Sequence, residues 1–179
     1  HRFLVVKAVL TGNALPLALE VPNFTFAIEG ISRAGFDQLA RTRIGAVFSA
    51  KGMRDNNWKD CSIRIPTALW PTEEEFDVYE KAKERPDPVI YPERTKMFDK
   101  VETFHNIMDV MYDVKGIYAD IVSSGIGSWQ AARTVLPLYV VYGFSACYNY
   151  ASLSGVCRNR MKFCEMEDVV ATAWLMAKA

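Results

Sequence analysis

The stretch of residues 23–43 constrains the fold of this chain more than any other. Residues 23–30 alternate polar and apolar side chains and are rich in aromatic and β-branched residues, a pattern typical of a strand with one buried face. Ser32 follows as a good N-cap and predicts a helix that runs to about Thr42. The segment therefore predicts a strand that leads directly into a helix.

Three donor side chains lie near the end of this predicted helix. Gln38 and Arg41 share one helix face, and Arg43 lies just beyond the helix end. Guanidinium groups offer planar, bidentate donors that match a phosphate or the edge of a uracil ring, and they stay charged when partly buried. The spacing therefore predicts an anion site, with the outline of a nucleotide site.

Length and charge restrict the classes of function. The chain has 179 residues, half of them hydrophobic, which is enough for one domain with a substantial core, and we expect a single domain over 1–179. The formal net charge is zero. A sequence-independent nucleic-acid binder needs a net basic face, so no nucleic-acid partner is expected, although local arginine clusters can still bind anions. The expected ligand is small.

The cysteines indicate free thiols rather than a metal site. There are four, and none forms a Cys-x-x-Cys pair or has a histidine nearby to complete a zinc site. The prediction is buried or half-buried thiols in a reducing compartment. No segment approaches the roughly 20 uninterrupted apolar residues of a membrane helix, and the start of the chain shows no secretion signal. We therefore expect a cytoplasmic protein outside the membrane.

The rest of the chain combines helical and strand patterns. Residues 3–10 fit a strand or a short helix, residues 138–146 fit a strand or a buried helix, and residues 44–57 favour a loop. Helices are predicted from Thr72 to the Arg85–Pro88 stretch, over 93–122, over 129–134 behind an N-cap at Ser128, over 149–158, and from 165 to the end. Glu167 and Asp168 are expected to be solvated helix-end charges. This mixed order predicts an α+β fold, a sheet flanked by helices of which one is long.

Two segments, in the right order, resemble the flavin-dependent thymidylate synthases (ThyX). Residues 24–43 are similar to that family's F-T-F-x-I-x-G-x-S-R element followed by Q-x-x-R-H-R. Ala132–Pro137 resembles its A-R-x-V-L-P element. Asn149 falls on the family's later Asn, Arg160 on the Arg at the end of the following helix, and Asp168 on an acidic position of the family's last helix. The resemblance implies a ThyX-like fold and a homotetramer with shared active sites.

The resemblance also implies a site for a pyrimidine nucleotide. By likeness to the family, Gln38, Arg41 and Arg133 contact the nucleotide. Arg160 is the expected catalytic residue, because a guanidinium beside the uracil favours ionisation of N3 and so activates C5 as a nucleophile.

The resembled nucleotide loop, residues 49–54, allows two alignments. An ungapped match puts Lys51 on the family's loop serine and Met53 on its arginine, whereas one inserted residue puts Gly52 and Arg54 there. We prefer the inserted version, because Arg54 keeps a phosphate donor. Gly52 and Arg54 then join the nucleotide-binding set, with a sugar environment unlike that of a standard thymidylate synthase.

The resemblance further implies FAD as cofactor. Arg41, Arg43 and Asn149 are the residues that would contact it. The chain departs from the family pattern at Leu15, Leu17, Thr42, Ala151 and Gly155, with Thr42 in place of the middle histidine of R-H-R. The expectation of flavin binding therefore depends on Arg41, Arg43 and Asn149, which match the family pattern.

The expected activity is FAD-dependent methylation at C5 of a uridine monophosphate, UMP or dUMP or both. Methylenetetrahydrofolate would donate the one-carbon unit and NADPH would be the reductant, so the cofactor would carry the hard step. The altered sugar loop favours a specialised enzyme, similar to the methylase of polyoxin-type nucleoside antibiotic pathways. Three alternatives stay open: an ordinary dUMP-specific thymidylate synthase, a catalytically silent relative that still binds nucleotide, and a structural α+β domain unrelated to nucleotides.

Overall fold

The structure, a computed structural model, describes residues 16–84, 92–162 and 166–179. The predictions for 3–10 and for Leu15 lie outside these residues. The chain divides into two compact units, of which the first combines the residues up to Gly52 with those from Leu138 onward and the second is Met53–Pro137. The single domain over 1–179 stays a prediction.

The described elements form an α+β fold, as predicted. The strands are β1 (Asn23–Ser32), β2 (Ala46–Ala50) and β3 (Val141–Asn149). The α-helices are α1 (Arg33–Leu39), α2 (Glu73–Glu84), α3 (Pro92–Ser123), α4 (Trp129–Ala132), α5 (Tyr150–Arg160) and α6 (Glu167–Lys178). Short 3-10 helices cover Pro16–Leu19, Thr67–Leu69 and Arg133–Val135.

A three-stranded antiparallel sheet forms the first unit's centre, in the order β1-β3-β2. The strand predicted over 23–30 is confirmed, and the open choice over 138–146 is resolved as a strand that begins at Val141 and runs on to Asn149. The loop predicted over 44–57 is wrong at 46–50, because these residues pair with the central strand. The glycines on either side favour a loop locally, but the ladder hydrogen bonds and the aromatic contacts of Phe48 outweigh that preference.

One face of this sheet packs against α1, α5 and α6. The burial of β3 alternates, so that Tyr142, Phe144, Ala146 and Tyr148 are buried on this face. Phe36 of α1 packs on it, with its ring 4.8 Å from that of Phe144 and 5.2 Å from that of Tyr142. Aromatic packing thus fixes α1 on the sheet.

A bulge interrupts β1. Pairing with β3 runs in register to Glu29, shifts by one residue, and resumes at Ile31. Gly30 is the extra residue. Its φ of 80° is a left-handed conformation that glycine adopts without strain. The glycine of the F-T-F-x-I-x-G element is therefore a backbone requirement.

The second unit is built on α2 and the long helix α3. The predicted start at Thr72 is confirmed by a reciprocal cap, in which the Glu75 backbone N–H donates to Thr72 Oγ1 (3.2 Å) and the Thr72 backbone N–H donates to Glu75 Oε2 (2.7 Å). Lys100 of α3 donates to the same carboxylate at 2.8 Å, and its hydrogen bond holds the pKa of Glu75 below the ordinary value. No helix in the described part of the chain is long and apolar enough to cross a membrane.

Candidate active site

The helix that precedes the predicted arginines is held at its N-terminus by a buried carboxylate. Ser32 caps α1, since its Oγ accepts a hydrogen bond from the Gly35 backbone N–H at 2.9 Å. Asp168 Oδ2 in turn accepts from the Ser32 backbone N–H (2.8 Å) and from Ser32 Oγ (2.5 Å). Asp168 is only 6% exposed, so the expectation of a solvated charge is wrong. The hydrogen bonds from Ser32 offset the free-energy cost of burying the Asp168 side chain.

Arg160 contacts the other end of the same helix. A guanidinium N–H of Arg160, at the end of α5, donates to the Gln38 carbonyl oxygen at 3.2 Å. This carbonyl lies in the last turn of α1, where a positive donor is favourable. The structure therefore brings the predicted residues Gln38 and Arg160 together.

Arg41 and Arg43 lie in the turn between α1 and β2. The prediction that α1 reaches Thr42 is wrong, because the helix ends at Leu39 and Ala40 forms its C-cap. Arg41 therefore lies outside the helix and shares no helix face with Gln38. Both arginines are exposed, and neither guanidinium has a hydrogen bond or ion pair with any residue that the structure describes. One short turn thus carries two exposed cations that no described residue pairs with.

The end of this turn is tied to the start of α5. The carbonyl of Gly45 accepts from the Asn149 backbone N–H at 2.8 Å, and the carbonyl of Ile44 accepts from Ser152 Oγ at 2.6 Å. Gly45 has φ of 67°, and an added Cβ there would collide with the Asn149 amide. Asn149 also caps α5, with its Oδ1 accepting from the Ser152 backbone N–H at 2.8 Å. The predicted residues Arg43 and Asn149 therefore lie near each other.

The remaining predicted residues are divided between the two units. Gly52 ends the first unit, two residues after β2, and is half-buried. In the second unit, Arg54 is exposed and Arg133 is half-buried at the start of the last 3-10 helix. Their assignment to a nucleotide, and the choice between the two loop alignments, stay predictions.

The first unit's features fit an anionic, planar cofactor such as FAD. Arg41 and Arg43 can pair with phosphate oxygens. On α5, a Cβ added to Gly155 would meet nothing, so there is open space beside the helix where the family pattern has a polar side chain. The departure from the family pattern at Gly155 therefore leaves that space open.

Two of the described cysteines, Cys61 and Cys157, lack the lowered pKa of a catalytic nucleophile. Cys61, Cys147 and Cys157 are free thiols of intermediate burial, while Cys164 lies outside the described residues. Burial raises the pKa of the Cys61 and Cys157 thiols, whereas a nucleophilic cysteine needs its pKa lowered. Among the residues described, no group of three metal-ligating side chains could hold a metal ion.

Two positioning residues escaped the sequence reasoning. Asp168 stands at a helix start, where an acid is ordinarily solvated. The hydroxyl of Tyr142 accepts a hydrogen bond from Arg33 and donates one to the Lys51 carbonyl. The alternation of β3 indicated that Tyr142 is buried, and a buried tyrosine usually has a hydrogen-bond partner. Nothing local in the sequence identified that partner.

Comparison with known proteins identifies the family. A family model described as Thy1, thymidylate synthase complementing protein, matches residues 6–179. No curated protein sequence matches the chain. The fold is similar to the crystal structure of thymidylate synthase X (ThyX) from Helicobacter pylori with FAD and dUMP, with a TM-score of 0.56, 18% identity, and coverage of 91% of this chain and 69% of that one. The chain belongs to the Thy1 family, the flavin-dependent thymidylate synthases.

Proposed function

We propose that this protein catalyses FAD-dependent methylation at C5 of a uridine monophosphate, UMP or dUMP. Methylenetetrahydrofolate is the proposed one-carbon donor and NADPH the proposed reductant. The observation that carries the proposal is the pair of exposed guanidinium groups, Arg41 and Arg43, that follows the helix whose Gln38 carbonyl accepts from Arg160. In a chain of the Thy1 family, this arrangement supports an anionic nucleotide beside an anionic cofactor.

For the nucleotide, the proposed contacts from the first unit are Gln38, Arg41, Gly52 and Arg160. Arg160 is the proposed catalytic residue, because a cation beside uracil N3 stabilises the negative charge that appears when C5 acts as a nucleophile. Its hydrogen bond to the Gln38 carbonyl supports this role by fixing the guanidinium in position. Arg54 and Arg133 stay predicted phosphate and nucleotide contacts from the second unit.

For the cofactor, the proposed contacts are Arg41, Arg43 and Asn149. When bound, FAD supplies the redox chemistry of the one-carbon transfer. The protein's own residues then bind and orient the reactants, and the poorly nucleophilic thiols are not needed. The Helicobacter pylori ThyX structure contains FAD and dUMP, which supports the same pair of ligands here.

A titration with FAD tests this assignment. The wild-type protein should bind FAD with a flavin absorbance spectrum, and Arg43→Ala should weaken binding by roughly 10-fold, the loss of one charge-assisted contact. Arg158→Ala is the matched control, since Arg158 is an exposed arginine on α5 outside the proposed contacts. A folded wild-type protein with no affinity for FAD would favour the alternative of a catalytically silent nucleotide-binding relative.

Substrate choice distinguishes a specialised methylase from an ordinary thymidylate synthase. The family's loop serine is replaced by Gly52 or Lys51, which supports acceptance of the 2′-hydroxyl of UMP, as in polyoxin-type pathways. Discrimination by one crowded hydroxyl is about 10²-fold. A competition assay with UMP, dUMP, methylenetetrahydrofolate and NADPH measures it, and methylation of dUMP alone would identify an ordinary thymidylate synthase.

The assembly is a further part of the proposal. Family membership supports a homotetramer with shared active sites, and the exposed apolar side chains of α3, Val110, Tyr112 and Ile117, are compatible with an interface. Analytical ultracentrifugation at several protein concentrations measures the assembly state, and a monomer at all of them would contradict this part.

A further inference from the structure

Tyr142 carries a hydroxyl that links two separate segments of the first unit. Its side chain is only 3% exposed on the helix-covered face of β3. The hydroxyl oxygen accepts a hydrogen bond from Arg33 Nη1 at 3.1 Å, and the hydroxyl proton is donated to the carbonyl oxygen of Lys51. A buried phenol thus connects the first residue of α1 with the end of β2.

Arg33 is itself fixed in place. Its guanidinium lies 5.1 Å from the ring centre of Phe36 and 5.0 Å from that of Tyr142, and its Nε pairs with Asp37 at 3.2 Å. A cation that donates to the phenol oxygen draws electron density from it, which makes the phenol a stronger donor to Lys51. The arginine therefore strengthens the hold on the Lys51 carbonyl.

The Tyr142 hydroxyl bonds the backbone where the pairing of β2 with β3 ends. β2 ends at Ala50, and the Lys51 backbone N–H reaches the Gly143 carbonyl at 3.5 Å, the long end of the hydrogen-bond range. The next residue is Gly52, whose backbone is the most permissive of any residue. The sheet ladder thus weakens where the loop begins, and the Tyr142 hydroxyl bonds the chain at that position.

We propose that Tyr142 is a positioning residue for nucleotide binding, holding the Lys51–Gly52 peptide in the conformation that receives the sugar and phosphate of a pyrimidine nucleoside monophosphate. The inference rests on the proposed function, in which this loop contacts the nucleotide. Because the loop lacks the serine of the family pattern, a contact from outside the loop supplies its pre-organisation.

Tyr142→Phe tests this role, because it removes the hydroxyl and keeps the ring. We expect the dissociation constants of UMP and dUMP, measured by calorimetry, and their KM values to rise about 5-fold, the effect of one hydrogen bond, with kcat within about 2-fold of wild type. FAD affinity should be unchanged. Tyr148→Phe is the matched control, since Tyr148 is buried on the same strand face and its hydroxyl has no hydrogen-bond partner among the described residues.

The outcomes separate this inference from the proposed function. Wild-type protein that binds neither nucleotide overturns both. Wild-type binding with unchanged nucleotide affinity in Tyr142→Phe overturns only the role of Tyr142, as does an equal loss in Tyr148→Phe. If Tyr142→Phe does not fold, Arg33→Lys provides the second test, because it keeps the charge but shortens the donor, and unchanged nucleotide affinity in that variant overturns the inference.

Discussion

Arg160 and Asp168 hold opposite ends of the same helix, α1. The guanidinium of Arg160 donates to the Gln38 carbonyl at the C-terminal end, and the carboxylate of Asp168 accepts from Ser32 at the N-terminal end. Both charges match the helix dipole. A helix as short as Arg33–Leu39 is not stable by itself, so its position depends on these contacts and on the packing of Phe36. Arg41 and Arg43 come shortly after α1 in the chain, so the position of α1 also determines where they lie.

Replacing Arg160 should affect both stability and chemistry. Arg160→Ala removes the hydrogen bond to Gln38, which should lower the free energy of unfolding by about 1–2 kcal/mol. Turnover should fall by roughly 10²-fold, because the stabilised charge appears only during the reaction. Urea unfolding and steady-state kinetics measure the two effects, with Arg158→Ala as the control of equal charge. Full turnover in Arg160→Ala would remove Arg160 from the catalytic role.

Replacing Asp168 should affect stability most. Asp168→Asn keeps the shape but replaces one oxygen of a side chain that accepts three hydrogen bonds, two of them from Ser32, so the free energy of unfolding should fall by about 2–3 kcal/mol. Asp37→Asn is the matched control, since it removes only a partly exposed ion pair and should cost less than about 1 kcal/mol. Equal effects of the two changes in urea unfolding would contradict the structural role of Asp168.

Two glycines should respond to alanine in opposite directions. Gly45→Ala introduces a Cβ against Asn149 at positive φ, which should cost about 1–3 kcal/mol and weaken FAD binding by displacing the turn after Arg43. Gly155→Ala introduces a Cβ into open space within α5, which should add about 0.5–1 kcal/mol through helix propensity. Urea unfolding of both variants is the measurement. A stable Gly45→Ala protein would refute the tight approach of the turn to α5.

High pH should destabilise the protein through Tyr148. Burial raises the pKa of this phenol from 10.0 to about 12 in the folded state. Between these values the unfolded chain loses the proton while the folded protein keeps it. Its contribution to stability is therefore complete below pH 10 and is lost as the pH rises toward 12, up to about 3 kcal/mol at roughly 1.4 kcal/mol per unit. The free energy of unfolding should fall more steeply over this range in wild type than in Tyr148→Phe, and parallel curves would contradict the burial effect.

Local signals in the sequence predicted much of the fold. Ser32 and Ser128 cap helices as predicted, because a cap depends on residues only a few positions away. The strand β2 was missed because its pairing partner, β3, is far along the chain. The early end of α1 was missed for a related reason, since the chain must turn before Gly45 to reach that pairing.

The candidate site was predicted as a set of residues rather than as an arrangement. Gln38, Arg41, Arg43 and Arg160 were identified from the motif order. Their geometry depends on hydrogen bonds between distant segments, such as that from Arg160 to the Gln38 carbonyl. A backbone acceptor leaves no trace in the pattern of side chains, so this contact could be found only in the structure.

The bulge at Gly30 makes the number of residues in β1 a determinant of its burial. In an uninterrupted strand, Ile28 and Ile31 would point to opposite sides of the sheet, yet both are buried. Because the bulge adds one residue between them, Ile31 points to the same side of the sheet as Ile28. Deletion of Gly30 would therefore leave a regular strand in which Ile31 follows Ile28 by two residues and keeps its side, whereas insertion of one residue in a regular strand would reverse the orientation of Ile31. We expect relatives either to lack this one residue and have a regular strand, or to keep the bulge with a glycine at its left-handed position.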